Sequence, residues 1–114
     1  MRVVAGDLRG RRIEGPEDEA TRPTTDKVRE AVFNALNSMN AVREERVIDL
    51  FAGSGALGIE ALSRGASSCT FVERDRKALD SIRYNIKTLQ LTDHTTVLSG
   101  DVMTNVVALR NVDL

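Results

Sequence analysis

The sequence predicts an α/β fold, a parallel sheet with helices on both faces. Three observations support this: short apolar runs alternate with amphipathic segments, the first run ends in glycines, and an acidic residue stands near the end of each run. Alternating strands and helices are typical of a parallel sheet. Right-handed crossovers then give the strand order 3-2-1 and place a ligand crevice at the strands' carboxyl ends.

Size and composition indicate one compact globular domain. The chain has 114 residues, a formal net charge of -1, and 41% apolar and 29% charged residues. This charge gives no general attraction to polyanions, so nucleic-acid contact requires a local basic patch. Cys69 is the only cysteine, which excludes an internal disulfide and indicates a cytoplasmic setting. No run reaches the roughly 20 apolar residues that span a bilayer, so we expect no membrane association.

The first 42 residues are predicted to form a hairpin and a helix. Residues 2–13 carry β-branched residues around glycines, which indicates a short hairpin or a pair of strands. An amphipathic helix follows within TRPTTDKVREAVFNALNSM, with Thr24 or Thr25 as its cap. Apolar residues at spacings of three and four predict its buried face: Val28, Val32, Ala35, Leu36 and Met39.

Residues 43–114 carry the alternating pattern. Strands are predicted at 47–51, 69–72 and 95–98, and 112–114 resembles the opening of a fourth. Helices are predicted at 56–64, which Gly65 ends, at 75–89 and at about 102–109. We therefore expect two parts, a hairpin with its helix over 1–42 and a ligand-binding part over 43–114.

The glycine loop is the strongest local signal. Gly53, Gly55 and Gly58 form G-x-G-x-x-G between a strand and a helix, and Glu73 ends the next strand 20 residues after Gly53. A carboxylate at this separation suits the two hydroxyls of an adenosine ribose. The alternatives are a purely structural turn for the glycines and, for Glu73, a solvated charge paired with Arg74 or Arg76.

Asp49 discriminates between the two ligands that fit this pattern. A dinucleotide would place its pyrophosphate over the loop and the helix N-terminus, where an aspartate opposes it. S-adenosylmethionine has no phosphate, and its sulfonium and ammonium groups are attracted to carboxylates. Asp49 therefore favours the methyl donor, and it can also cap the loop through backbone N–H groups.

Asp101, at the end of the third strand, is a candidate acceptor for an adenine amino group, with Val102 packing on the ring. Asp101 is equally well explained as a helix N-cap. His94 lies in a polar turn and is interpreted as a surface residue, and Cys69 is interpreted as core. No spacing suggests a metal site.

The residues that carry this pattern also match a known family. VIDLFAGSGALGIEALSRGA, FVERD and the Gly-Asp at 100–101 resemble the first motifs of Rossmann-like Class I S-adenosylmethionine-dependent methyltransferases. RVVAGDLRGRRI and TRPTTDKVREAVFNAL resemble the RsmD family, which methylates a guanine N2 amine in small-subunit ribosomal RNA. The resemblance covers essentially the whole chain.

The resemblance implies a role for each group of residues. The cofactor S-adenosylmethionine would contact Asp49, Phe51, Gly53, Ser54, Gly55, Glu73, Arg74, Asp101 and Val102. The RNA partner, ribosomal RNA or the small ribosomal subunit, would contact Arg9, Arg11, Arg12, Arg22 and Thr24. Without the resemblance, the basic cluster is as readily a solvated hairpin.

The sequence departs from the family at its end. The resemblance implies an Asp/Asn-Pro-Pro-Tyr/Phe motif after the fourth strand, but the sequence ends at Leu114 and its only prolines are Pro16 and Pro23. We therefore expect a donor-binding half that is inactive alone, with no catalytic residue to assign. Three explanations are open: a truncated sequence, a partner chain that supplies the rest, or an isolated fragment that self-associates through the exposed edge of its first strand. The alternatives are a nicotinamide dinucleotide-binding oxidoreductase domain and a non-catalytic nucleoside- or RNA-binding fragment.

Overall fold

The computed structural model describes residues 1–15, 26–50 and 52–100. In chain order these form α1 (Asp26–Ser38), β1 (Arg46–Leu50), α2 (Ala56–Ser63), β2 (Ser68–Glu73), α3 (Arg76–Thr88), a short 3₁₀ turn (Thr92–His94) and β3 (Thr95–Ser99). The predicted strands and helices of this part are confirmed to within one or two residues. The helix predicted at 102–109, the fourth strand at 112–114, and Thr24 and Thr25 lie outside the described residues.

The three strands form one parallel sheet in the order β1-β2-β3, which confirms the predicted order. Asp49 pairs in register with Phe71, and Glu73 pairs with Ser99. The core packs against this sheet, with Ile59 from α2, Phe71 from β2 and Ile82 from α3 all fully buried. The carboxyl ends of the strands therefore meet at a single edge of the sheet.

The N-terminal segment is a hairpin with one antiparallel bridge, between Arg2 and Arg12. The Val3 N–H donates to the Arg11 carbonyl at 2.9 Å, and the Ile13 N–H donates to the Met1 carbonyl at 2.8 Å. Val3 and Ile13 are both buried within the core cluster. The hairpin therefore shares the core of the sheet rather than standing apart from it.

The predicted buried face of α1 is largely wrong, although Leu36 packs against the core. Val28, Val32 and Met39 are 51%, 45% and 72% exposed, whereas Arg29 and Phe33 are buried. Arg29 is drawn inward because its guanidinium pairs with Glu60 of α2, at 3.2 Å. A buried carboxylate in the neighbouring helix therefore decides which side of α1 faces the core.

One edge of β1 lies beside an apolar groove. Among the described residues, β1 pairs with β2 alone. A cavity of about 310 Å³ lies between α1, β1 and α2, with Leu36, Ile48 and Leu57 among its lining residues. The self-association expected from this edge stays a prediction.

Candidate functional site

The loop between β1 and α2 occupies the carboxyl edge of the sheet. The Ala52 N–H donates to the Val72 carbonyl at 3.1 Å, and the Gly55 N–H donates back to the Ala52 carbonyl at 2.8 Å. Gly55 has φ +86°, which side-chain-bearing residues rarely adopt, and α2 begins directly after it, so the N-cap residue itself has no capping side chain. The first turn of α2 therefore presents backbone N–H groups at this edge.

The other two glycines of the motif have distinct roles. A Cβ at Gly58 would lie 2.4 Å from the Phe71 ring and 2.6 Å from the Cys69 sulfur, so this glycine permits α2 to pack closely on β2. Among the described residues, a Cβ at Gly53 would have nothing within 4 Å, although its φ is +59°. The space beside Gly53 is therefore open to a ligand.

Asp49 lies beneath this loop and is only 6% exposed. Its Oδ2 accepts the Gly58 N–H at 3.1 Å, so it caps the first turn of α2 from the neighbouring strand. Burial raises the pKa of Asp49 to about 6, the Gly58 hydrogen bond partly offsets this, and the charge of Glu73 adds to the rise. At pH 7 this carboxyl is about nine-tenths ionised, and it thus holds a buried negative charge at the helix N-terminus.

Glu73 joins the loop to the end of β2. Its Oε1 accepts the Gly53 N–H at 2.8 Å, and its Oε2 accepts the N–H groups of Arg74 and Asp75 at 3.0 and 2.9 Å. Its partners thus include main-chain groups, rather than the Arg74 or Arg76 side chains weighed from the sequence. A carboxylate offers about four acceptor positions, so capacity remains for a ligand hydroxyl.

Asn85 is a buried side chain of α3 that the sequence reasoning missed. Its Nδ2 donates to the Ser54 carbonyl at 3.0 Å and to the Glu14 carbonyl at 2.9 Å, and its Oδ1 accepts the Glu14 N–H at 2.9 Å. One amide thus fixes the glycine loop to the N-terminal segment. The available signal was a polar residue on the apolar stripe of Ile82, Ile86 and Leu89.

Glu60 is a second missed residue, in the middle of a helix that is otherwise largely apolar. Its carboxylate accepts the backbone N–H groups of Val4 and Ala5 at 2.9 and 3.1 Å and pairs with Arg29 at 3.2 Å and Arg64 at 2.8 Å. Burial alone would raise the pKa of Glu60, but these donors together hold it below its usual range. This network joins the hairpin and α1 to the helix that carries the glycine loop.

The remaining predicted site residues are distributed as follows. Arg9, Arg11 and Arg12 are exposed, as a basic contact surface requires, and Arg74 is exposed beside Glu73. Phe51, Asp101, Val102, Arg22 and Thr24 lie outside the described residues. His94 is exposed, which confirms its surface position.

Cys69 is 1% exposed, which confirms its core position. Burial raises the pKa of its thiol, and the nearby charge of Asp49 adds to the rise, so this thiol is not an activated nucleophile. Within the described residues, no cluster of three or more His, Cys, Asp or Glu side chains could hold a metal ion. No described helix combines the length and apolar character needed to cross a bilayer.

Comparison with known proteins supports a single family. The family model described as conserved hypothetical protein 95 matches residues 1–113. The Bacillus subtilis protein YlbH, whose name provisionally assigns it to rRNA methylation, is 50% identical over 101 residues, 89% of this chain and 54% of that protein. Ribosomal RNA small subunit methyltransferase D of Escherichia coli K12 is 43% identical over 90 residues, 79% of this chain and 44% of that protein.

Comparison with solved structures identifies proteins of the same fold. A hypothetical protein from Thermus thermophilus superposes with a TM-score of 0.83 at 30% identity, covering 95% of this chain and 60% of that one. The chain spans about half the length of the curated relatives named above.

Proposed function

The chain belongs to the conserved hypothetical protein 95 family, which includes ribosomal RNA small subunit methyltransferase D, and on this premise we propose that it is the methyl-donor-binding part of an rRNA methyltransferase. The proposed donor is S-adenosylmethionine, and the proposed acceptor is the N2 amine of a guanine in small-subunit rRNA. Residues 1–42 would be the RNA-facing part and residues 43–114 the donor-binding part. The proposal implies a cytoplasmic enzyme that acts on the small ribosomal subunit.

A single observation carries the choice of donor: the buried Asp49 carboxylate already accepts a backbone N–H in the first turn of α2. In dinucleotide-binding proteins this position holds the pyrophosphate. Two like charges about 4 Å apart near a protein surface repel by about 4 kcal/mol, so a pyrophosphate is disfavoured here. A cationic sulfonium or ammonium group at the same position would instead be attracted to the Asp49 carboxylate.

The residues present fit this donor. Bound S-adenosylmethionine supplies a methyl group on a positively charged sulfur, which an amine can take by in-line displacement. The open space beside Gly53 admits the methionine portion along Gly53–Gly55, and Asp49 provides the countercharge. Glu73 would bind a ribose hydroxyl through its remaining acceptor position, with Arg74 beside it.

The other proposed donor and RNA contacts extend from these residues. Phe51, Asp101 and Val102 complete the proposed donor set. Arg9, Arg11, Arg12, Arg22 and Thr24 would contact RNA phosphates, which basic side chains bind independently of sequence. The Glu60 network supports this arrangement, because it holds the hairpin against the helix that follows the donor loop.

Isothermal titration calorimetry with S-adenosylhomocysteine and with NAD tests the donor. We expect the homocysteine derivative to bind and NAD to give no heat at the same concentrations. The matched variant Asp49→Asn should discriminate less between S-adenosylhomocysteine and NAD, because it removes the negative charge that repels the pyrophosphate. Tighter binding of NAD to the parent protein would replace this proposal with the oxidoreductase interpretation.

The acceptor is tested separately, by incubating the protein with methyl-labelled S-adenosylmethionine and small ribosomal subunits that lack the modification. Any label that is transferred should be recovered, after digestion to nucleosides, in N2-methylguanosine. Label in another nucleoside would contradict the guanine assignment. Donor binding without any transferred label would agree with the expectation that residues 1–114 are inactive alone.

A further inference from the structure

A second cavity lies between α3 and the end of the described N-terminal segment. It has a volume of about 570 Å³ and is lined by Glu14, Gly15, Lys77, Asp80, Ser81 and Tyr84. The α3 residues among these recur every three or four positions, so they form one continuous face of the helix. We call this cavity the α3 pocket. Among the described residues, none of the donor contacts proposed above lines it.

The N-terminal wall of the α3 pocket is hydrogen-bonded to α3. The Arg11 guanidinium donates to the Thr88 carbonyl at 3.4 Å, and the Glu14 backbone makes two hydrogen bonds with Asn85. The N-terminal segment therefore runs along α3 from its last turn toward its first. Because Asn85 also binds the Ser54 carbonyl, the pocket wall and the donor loop share one buried side chain.

Tyr84 gives the pocket its chemical character. Its side chain is 56% exposed, whereas Phe33 and Phe71, the other aromatic residues with described side chains, are 4% and 0% exposed. A ring left this open contributes little to the core. Exposed aromatic rings that border a basic surface are the usual stacking platforms for unpaired bases.

The charges around the pocket favour a neutral base over a phosphate inside it. Lys77 and Asp80 offset each other among the lining residues, and Glu14 pairs with Arg12 at 3.0 Å. The carboxylates can accept N–H groups from a base edge. Exposed cations lie outside the lining, at the last turn of α3, where Arg11 contacts Thr88 and where Lys87 is located. A backbone phosphate would therefore lie outside and its base inside.

From this arrangement we propose that the α3 pocket binds one unpaired base of the RNA, stacked on Tyr84. This inference rests on the proposed function, because it assumes an RNA substrate. It adds a binding subsite that is distinct from the donor site and from the basic cluster of the hairpin. Because Asn85 contacts both the pocket wall and the donor loop, a single side chain would connect the occupied pocket with that loop.

The protein contains one tyrosine and no tryptophan, so its tyrosine emission reports on Tyr84 alone. Titration with a short single-stranded oligoribonucleotide from small-subunit rRNA should quench this emission, with free N-acetyltyrosinamide as the correction for absorbed light. Guanosine monophosphate serves as a second titrant. Quenching by the oligonucleotide at concentrations where the mononucleotide has no effect supports an RNA base as the occupant. Equal quenching by both would overturn it in favour of a free nucleotide.

Fluorescence anisotropy of labelled RNA tests the same residue by affinity. Tyr84→Phe keeps a stacking ring and should bind within about twofold of the parent. Tyr84→Ala should bind about 5- to 100-fold more weakly, since stacking contributes about 1–3 kcal/mol per base. Met39→Ala is the matched control, because Met39 is 72% exposed and absent from the α3 pocket lining. All three variants should keep the parental affinity for S-adenosylhomocysteine.

The possible results separate the two proposals. If the parent binds RNA and Tyr84→Ala binds it equally well, the α3 pocket is not a base site, and the proposed function stands. If the parent binds S-adenosylhomocysteine but no RNA, the RNA assignment itself fails, and the base site fails with it.

Discussion

Replacing Asp49 with asparagine should make the protein more stable at neutral pH while weakening its binding of the methyl donor. The carboxyl is 6% exposed and its pKa is about 6 in the folded chain, against an ordinary value of 3.8. Asparagine keeps an oxygen that can accept the Gly58 N–H but cannot ionise. The substitution therefore removes the cost of a buried charge with little loss of hydrogen bonding.

The size of the effect follows from linkage between protonation and folding. A carboxyl whose pKa is raised by folding contributes stability below its unfolded pKa, and this stability is lost as the pH rises through the folded pKa. At about 1.36 kcal/mol per pKa unit, the values for Asp49 correspond to about 3 kcal/mol. The stability of Asp49→Asn relative to the parent should therefore rise by about 3 kcal/mol between about pH 4 and about pH 8.

Urea unfolding across this pH range measures the effect. Asp93→Asn is the control, because it replaces an exposed aspartate in the turn before β3. Its stability relative to the parent should show no comparable rise. If the stability of Asp49→Asn relative to the parent is constant across the range, the Asp49 carboxylate does not carry the proposed buried charge.

Three further predictions test other parts of the structure. Gly58→Ala places a methyl group 2.4 Å from the Phe71 ring and should destabilise the fold by about 1–3 kcal/mol in urea unfolding; parental stability would contradict the close packing. Gly53→Ala should cost only about 1 kcal/mol of stability, because an alanine at φ +59° is mildly strained. In calorimetry it should weaken S-adenosylhomocysteine binding about tenfold, because its methyl group enters the space proposed for the ligand. Unchanged affinity would show that the donor lies elsewhere. Glu60→Gln should destabilise the fold by about 3–5 kcal/mol, because it removes the charge that pairs with the buried arginines Arg29 and Arg64. Glu30→Gln is the control, because Glu30 is exposed. Equal stability of these two variants would contradict the network.

The sheet and its helices could be predicted because their signals are local. Apolar runs of strand length, Gly55 before α2 and Gly65 after it are all visible in short windows of sequence. The position of Asp49 and Glu73 followed from the same alternation, because parallel strands bring their carboxyl ends to one edge. The part of the site that lies on strand ends was therefore accessible from the sequence.

The parts that failed depend on contacts between distant residues. The apolar stripe of α1 predicts one buried face, but an ion pair between Arg29 and Glu60, 31 residues away, brings Arg29 inward instead. Asn85 reaches Glu14 across 71 residues, and no local periodicity encodes that partner. A polar residue on an apolar stripe indicates that its side chain has a hydrogen-bond partner, but it does not identify the residue that provides it.

The most direct test is the pH dependence of methyl-donor affinity. Calorimetric titration of the parent and of Asp49→Asn with S-adenosylmethionine, between about pH 5 and about pH 8, measures the contribution of the Asp49 charge. We predict that parental affinity falls as Asp49 is protonated below about pH 6, and that the variant binds weakly with little change over this range. Parental affinity in Asp49→Asn, with the same pH profile, would contradict the conclusion that this carboxylate selects the donor.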